Sequence, residues 1–327
     1  MGRASINTIA VQAGVSRNTV SLALRDDPRV ADDTKARVLS VARRLDYRPN
    51  LLARAMVTGR SKVIGLAVPR IDFSYIPRLL DAIHEAAFET GYGVLTCFHH
   101  NEADRLPAVL AYLSDRQVDG VIVHCPVPPA GRTVLAEGRR PAVTLSFGHE
   151  KQPGLTLDLL PGAAGVDAVR ELVALGHRRV GYAGECEGFF GAARLKGVRR
   201  AAREHGLKQP ATYPGDDSLA GGRAAAGLFL ADRARPTAVV AYADAVAVGF
   251  IQTVTAAGVR VPWDVSVVGV DDLPIAQVCA PALTTLRAPA AELGRAAMAA
   301  LTGSGPVPTG SRVFDWEWIP RGSTAPV

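Results

Sequence analysis

The stretch Ala13-Gly14-Val15-Ser16-Arg17-Asn18-Thr19-Val20-Ser21 decides how this chain is read. Gly14 can take the positive φ that a tight turn between two helices requires. Ser16 suits an N-cap, because its hydroxyl can accept a backbone N–H of the next turn. Val15 and Val20 then occupy the two positions of a hydrophobic staple, which fixes the direction in which the chain enters the helix. Upstream, residues 5–12 carry Ile6, Ile9 and Ala10 at helical spacing, continued by Ala13. Two short helices therefore meet at a glycine turn, and the second opens with Arg17, Asn18 and Ser21. These three can hydrogen-bond base edges and phosphates in a DNA major groove. The plainer reading is a surface helical hairpin with ordinary polar residues.

Charge separates the two readings. The chain has 327 residues and a net charge of +6. Residues 1–60 hold eleven Lys and Arg against five Asp and no Glu, so the whole excess sits there and the rest of the chain balances. A basic head on a neutral body is the electrostatic footprint of a nucleic-acid reader. A membrane-surface head is the alternative, but this one lacks the apolar face with Trp or Phe that such helices carry. With 48% hydrophobic residues the chain can bury a large core, and its length predicts two or three units. Cys97, Cys125, Cys186 and Cys279 lie far apart with no CxxC pair, as expected of reduced, mostly buried thiols in a cytoplasmic protein. No signal peptide precedes the first helix, and no apolar run approaches membrane-spanning length, so no membrane partner is expected.

A third helix is expected over residues 32–46, with Val38, Val41, Ala42 and Leu45 as its buried stripe. Asp32 and Asp33 favour its positive end, while Ala31 stands where a capping Ser would serve better. The head thus spans 1–46 around a very small core, and a hinge follows over 47–61. Pro49 ends the preceding pattern, and Asn50 can cap a helix too short to be stable alone. The apolar residues of that helix, Leu52, Ala53 and Met56, need a partner. From Lys62 onward strands and helices alternate. Strands are expected at 63–68, 94–98, 121–123, 142–145, 180–183, 238–241 and 266–270, and helices at 74–90, 102–116, 162–175, 191–205, 219–231 and 245–257. Two such series predict an α/β body with two doubly wound parallel sheets.

At this point the residues resemble the LacI/GalR family of bacterial transcription regulators, over essentially the whole chain. The matching runs are AGVSRNTVS (13–21), LDYRPNLLARAM (45–56), IGLAVP (64–69), VDGVIV (118–123), LGHRRVGYAG (175–184), VPWDVSVVGVDD (261–272), PALTTLR (281–287) and PRGST (320–324). The resemblance implies a three-helix helix-turn-helix head, a hinge helix, and a two-lobed body like periplasmic sugar-binding proteins. The N-lobe would take about 62–160 and 288–316, the C-lobe about 161–287 and 317–327. It also implies a homodimer on a near-palindromic double-stranded operator, with the second helix in the major groove and paired hinge helices in the minor groove. Ser5, Ser16, Arg17, Asn18, Thr19, Ser21 and Leu22 are then the DNA-contacting candidates of the head. Asn50, Leu52, Ala53 and Met56 are those of the hinge. Leu22 stands where many members have Arg; it cannot bond guanine, but it can touch a thymine methyl or pack inside the head. Met56 stands where a Leu usually wedges between central base pairs, and its similar volume keeps wedging open to it.

In a doubly wound sheet, ligands sit at the carboxyl ends of the strands. That singles out Phe73 and Tyr75 after the first strand, and Phe98, His99 and His100 after the second. The resemblance adds Asp158, Arg194 and Asp271 as positions that commonly hold the effector between the lobes. Asp accepts paired hydroxyls, Arg donates in a fixed fork, and Tyr75 or Phe98 can cover the apolar face of a sugar. The implied effector is a small metabolite of sugar or nucleobase type. Ala243, in the run Tyr242-Ala243-Asp244, replaces the family's usual Asn, so the pocket is not that of a typical pentose or hexose binder.

His99 and His100, near Glu102 and Asp104, do not make a metal site, since adjacent side chains on a strand-end loop point apart and no third His or Cys is at ligand spacing. No GxSxG elbow, P-loop run or complete dinucleotide loop occurs, so neither catalysis nor a cofactor is expected. The leading expectation is a ligand-controlled DNA-binding repressor. The alternative is a solute-binding protein of a transport system with the same body fold, against which the basic head and the missing signal peptide both count. No leucine heptads follow the PRGST run, which disfavours a coiled-coil tetramer.

Overall fold

The computed structural model describes residues 5–47, 58–71, 75–100, 102, 104–138, 140–148, 152 and 154–327. Two compact units divide the chain, Met1–Ser61 and Lys62–Val327.

In the first unit, α1 (Ile6–Ala13), α2 (Arg17–Ala23) and α3 (Asp32–Arg44) enclose a single cluster of nine buried residues that includes Ile9, Val20 and Val38. Gly14 closes α1 at φ 61, and its N–H donates to the carbonyls of Ala10 and Val11. Both staple valines are in place: Val20 is fully buried, and Val15 packs half-buried on the cluster. The third helix ends two residues before the expected 46, because Leu45 leaves the helical range and Asp46 turns left-handed at φ 43. Ala31 supplies no side-chain cap, which leaves Asp32 and Asp33 to favour that end through the helix dipole. The hinge candidates Asn50, Leu52, Ala53 and Met56 lie outside the described residues.

The second unit is built on two six-stranded sheets. The first holds β1 (Val63–Val68), β2 (Gly93–Phe98), β3 (Gly120–His124), β4 (Ala142–Ser146), β5 (Leu155–Leu159) and β11 (Gly310–Phe314), all parallel, in the order β11-β5-β4-β3-β1-β2. The second holds β6 (Val180–Gly184), β7 (Ala211–Pro214), β8 (Ala238–Ala241), β9 (Ser266–Val270), β10 (Thr284–Arg287) and β12 (Glu317–Ile319), in the order β12-β10-β9-β8-β6-β7. Among the described residues, only β12 runs antiparallel, against β10. The run VIGLAV of β1 is apolar throughout because both its faces are covered. Leu79 and Ile83 of α4 (Ile76–Glu89) cover one, and Leu106, Leu110 and Leu113 of α5 (Arg105–Asp115) the other. The remaining helices are α6 (Pro129–Glu137), α7 (Pro161–Ala174), α8 (Phe189–Glu204), α9 (Leu219–Ala231), α10 (Asp244–Ala256), α11 (Pro274–Val278) and α12 (Ala290–Thr302).

The chain passes between the sheets three times, from β5 to β6, from β10 to β11 and from β11 to β12. Each sheet with its helices is therefore a lobe assembled from discontinuous sequence, and the lobes meet near strand ends, where the rings of Phe147 after β4 and Phe190 of α8 lie 4.8 Å apart. Five strands, β5, β7, β10, β11 and β12, go beyond those expected from apolar runs. Among the described residues, no helix is long and apolar enough to cross a membrane.

Candidate functional site

The head presents a polar face along α2. Ser16 caps the helix by accepting the Thr19 N–H at 3.0 Å, and its hydroxyl also lies 2.8 Å from the Thr19 hydroxyl. Ser5 caps α1 in the same way, accepting from Thr8 N at 3.2 Å. Both hydroxyls hold the helices in place, so their first role is geometric. Arg17 and Asn18 stand exposed in the first turn of α2. Ser21 is half-buried, and Arg25 donates to its hydroxyl at 2.6 Å and to its carbonyl at 3.1 Å. Arg25 stands in the turn that ends α2, and its two bonds to Ser21 set it beside the polar face begun by Arg17. The sequence reading passed over Arg25, although its spacing from Arg17 was the available signal. Leu22 packs half-buried against the head's core, which engages part of its side chain in folding.

In the body, Arg194 of α8 is 6% exposed and lies deep in the cleft. Its guanidinium donates to the Tyr242 carbonyl, lies 3.8 Å from Asp271 Oδ1, and faces the rings of Tyr242 at 4.9 Å and Trp316 at 5.7 Å. Its Nε is buried without a hydrogen-bond partner. Burial raises the Asp271 carboxyl above the usual carboxylate range, against the opposing pull of Arg194 and Arg78. Across the cleft, His124 at the end of β3 shares a 2.9 Å hydrogen bond between its Nε2 and the Tyr75 hydroxyl. Burial brings its pKa down to about 4, so the ring is neutral near pH 7, and its Nδ1 also lacks a partner. A row of rings joins the lobes: His124 to Phe147 at 5.0 Å, Phe147 to Phe190 at 4.8 Å, and Phe190 to Phe189 at 5.3 Å.

Of the sequence candidates, the structure brings Arg194 and Asp271 near Tyr75: burial raises the Tyr75 hydroxyl first of all, Asp271 raises it further and Arg194 opposes them. Asp158 is placed differently. It lies within β5, where its carboxylate accepts from the Ser311 hydroxyl and, at 3.2 Å, from Gly148 N. Phe98 ends the edge strand β2, where it packs half-buried on the N-lobe core with its ring 6.2 Å from His100. Phe73 lies outside the described residues. His99 is buried against the His124 carbonyl and Cys125, whereas His100 turns away at φ 54. Burial pushes the Cys125 thiol up to about 12, which makes it a poor nucleophile near pH 7. Among the described residues, no group of three His, Cys, Asp or Glu could hold a metal. The sequence reading missed His124, Phe147, Phe190 and Trp316. The first two directly end or follow strands, so the strand-end rule carried past the second strand would have found them.

Beneath the cleft, Ala243 is buried and Asp244 is fully buried. Asp244 accepts from the Leu273 N–H and the Thr285 hydroxyl, both at 2.6 Å, and burial pushes its carboxyl up to about 8. It anchors the turn that carries Asp271 and Asp272.

Known proteins share this fold. Residues 5–50 match the family described as bacterial regulatory proteins, lacI family, and residues 169–324 match the periplasmic binding protein-like domain. The chain is 33% identical over 305 residues to the HTH-type transcriptional repressor PurR of Proteus mirabilis, covering 91% of this chain and 89% of that protein. The PurR of Yersinia enterocolitica is likewise 33% identical over the same shares. Among solved structures, the lac repressor dimer bound to operator and the anti-inducer ONPF superposes with a TM-score of 0.88 at 25% identity, over 99% of this chain and all of that one. The transcriptional regulator CelR–cellobiose complex gives a TM-score of 0.69 at 25% identity, over 98% of this chain and all of that one. With a helix-turn-helix head, a two-lobed body and relatives that match along nearly its whole length, the chain belongs to the LacI family of bacterial regulatory proteins.

Proposed function

We propose that this LacI-family regulator, a DNA-binding repressor controlled by a small ligand, works in the cytoplasm as a homodimer on a near-palindromic operator. Arg17 and Asn18 read base edges in the major groove, while Ser21 and Arg25 set the helix on the phosphates. By its sequence, the short helix expected at residues 50–56 has an apolar face and too few turns to be stable alone in water, so it would gain its form on DNA. The lobes set the separation of the two hinges, so a ligand that moves one lobe against the other controls DNA affinity by linkage.

The ligand occupies the cleft at Arg194 and Asp271. One observation carries this: the Arg194 Nε is buried and unpartnered beside a carboxylate. A desolvated donor without an acceptor is costly, and a ligand oxygen would relieve that cost. The rings of Tyr75, Phe147, Phe190 and Trp316 suit the flat apolar face of a neutral, sugar-like metabolite. The body binds this molecule and does no chemistry on it. The relatives support the reading, since the lac repressor structure is bound to operator and the CelR structure to cellobiose.

A thermal-shift screen of sugars, polyols and nucleosides tests it on the full chain and on Arg194→Ala. At least one compound should raise the melting temperature of the parent and leave the variant unmoved. Equal shifts in both proteins would remove Arg194 from the site.

A further inference from the structure

Asp272 follows the cleft residue Asp271 and is fully buried, yet it takes three guanidiniums. Arg321 reaches its Oδ1 at 2.6 Å and Arg287 its Oδ2 at 2.8 Å. Both belong to the same lobe as Asp272 and are fixed there: Arg321 also donates to the Leu283 carbonyl, and Arg287 to Glu317. The third, Arg78, comes from the other lobe. It sits in the first turn of α4 and reaches Asp272 Oδ2 at 3.1 Å. Burial opposes the Asp272 charge, but the three guanidiniums outweigh it and hold the carboxyl below its usual range. Asp271 and Asp272 are both left-handed, at φ 104 and 52, a strained arrangement for two consecutive residues with side chains. It persists because Asp244 holds Leu273 from below and the guanidiniums hold Asp272 from above.

We propose that Arg78 is a positioning residue, a latch between the lobes that couples their separation to the conformation of the Asp271–Asp272 turn. This rests on the reading of the cleft as the effector site and supplies its regulation. With the lobes as they stand, Arg78 completes the clamp on Asp272 and adds its positive charge beside Asp271. When the lobes part, Arg78 withdraws, Asp272 is left one donor short, and the strained turn loosens. The withdrawn side chain has somewhere to go. It is 36% exposed and lines an open groove of about 960 Å3 that runs along the segments connecting the lobes. Lobe movement and the grip on a cleft ligand are thus one equilibrium rather than two.

Hydrogen exchange of the full chain without any ligand tests the latch, so its outcome is independent of whether Arg194 and Asp271 bind an effector. In Arg78→Gln, amides 270–273 and 78–80, one segment from each lobe, should exchange on the order of ten-fold faster, with β1 and α10 unchanged. Arg78→Lys, which restores a positive charge, should recover part of that protection. Unchanged exchange at 270–273 in Arg78→Gln would overturn the proposal. So would a uniform rise across both lobes, which would make Arg78 an ordinary contributor to stability, or a failure of Lys to restore any protection.

Discussion

The head and the body build their polar faces from different distances along the chain. Ser16, Arg17, Asn18, Ser21 and Arg25 fall within ten consecutive residues, on one short helix and the turn that ends it. Tyr75, His124, Arg194, Tyr242 and Asp271 come from five separate segments, and the chain passes between the lobes to bring them together. The head uses hydroxyls to cap its helices and leaves cations exposed on a core of nine buried residues. The body buries ionisable groups, and burial shifts the carboxyls of Asp244 and Asp271 upward. An exposed cationic face suits a polyanion whose binding is set by salt. A buried pair with an orphaned donor suits a small neutral molecule, for which desolvation is affordable only when every hydrogen bond is made.

The largest effect should come from separating the two regions. A chain beginning at Lys62 should stay folded and bind no duplex DNA, because all the net charge lies before it. The full chain should lose DNA affinity steeply between low and moderate salt, measured by fluorescence anisotropy. Comparable binding by the shortened chain would erase the distinction between head and body.

That contrast also explains what the sequence made legible. The helix-turn-helix was readable because Gly14, Ser16 and the valine staple act over one or two turns, and the structure places each as the spacing requires. The interior strands β1, β3, β4, β6, β8 and β9 were readable because a strand covered on both faces reads as a nearly continuous apolar run, and β2, a half-buried edge strand, was readable from its residues Val94, Leu95 and Phe98. β11 was not, since Gly-Ser-Arg-Val-Phe is an edge strand exposed over its first four residues and carries no buried run. β12 has three residues and pairs antiparallel, outside the βα rhythm. Arg194 and Asp271 were reached through resemblance. The placement of Asp158 against Ser311 was beyond reach, because that partner arrives on β11 after the chain has passed through the other lobe.

The next effect in size belongs to the cleft. Arg194→Ala should weaken the binding of a cleft ligand roughly ten- to a hundred-fold, the range for hydrogen bonds to a charged group, and leave ligand-free DNA affinity nearly unchanged. Isothermal titration and anisotropy measure the two halves, and a matching loss of DNA affinity would merge the two sites. Arg17→Ala should cost about 1–3 kcal/mol of DNA binding and relax preference at one operator position. A uniform loss over all duplexes would reassign Arg17 to the backbone.

A smaller effect concerns pH. The folded Asp244 carboxyl keeps its proton up to about 8, whereas the unfolded chain releases it near 3.8. The folded state therefore binds the extra proton, and this residue's contribution to stability falls as pH rises from about 4 to about 8. Asp244→Asn can accept from Leu273 through its carbonyl and, with the Thr285 hydroxyl turned from donor to acceptor, bond it through its amide, with no proton to lose. Its melting temperature should decline less than the parent's over that window, and parallel declines would refute the assignment of Asp244 as the buried proton holder.

The most direct test of control by the cleft is an anisotropy titration of a duplex selected by the full chain, with and without a compound that raises the body's melting temperature. DNA affinity should change by about ten-fold or more, equivalent to roughly 1.4 kcal/mol of coupling, and the change should disappear in Arg194→Ala. A compound that stabilises the body through Arg194 yet leaves DNA affinity unchanged would contradict control by the cleft.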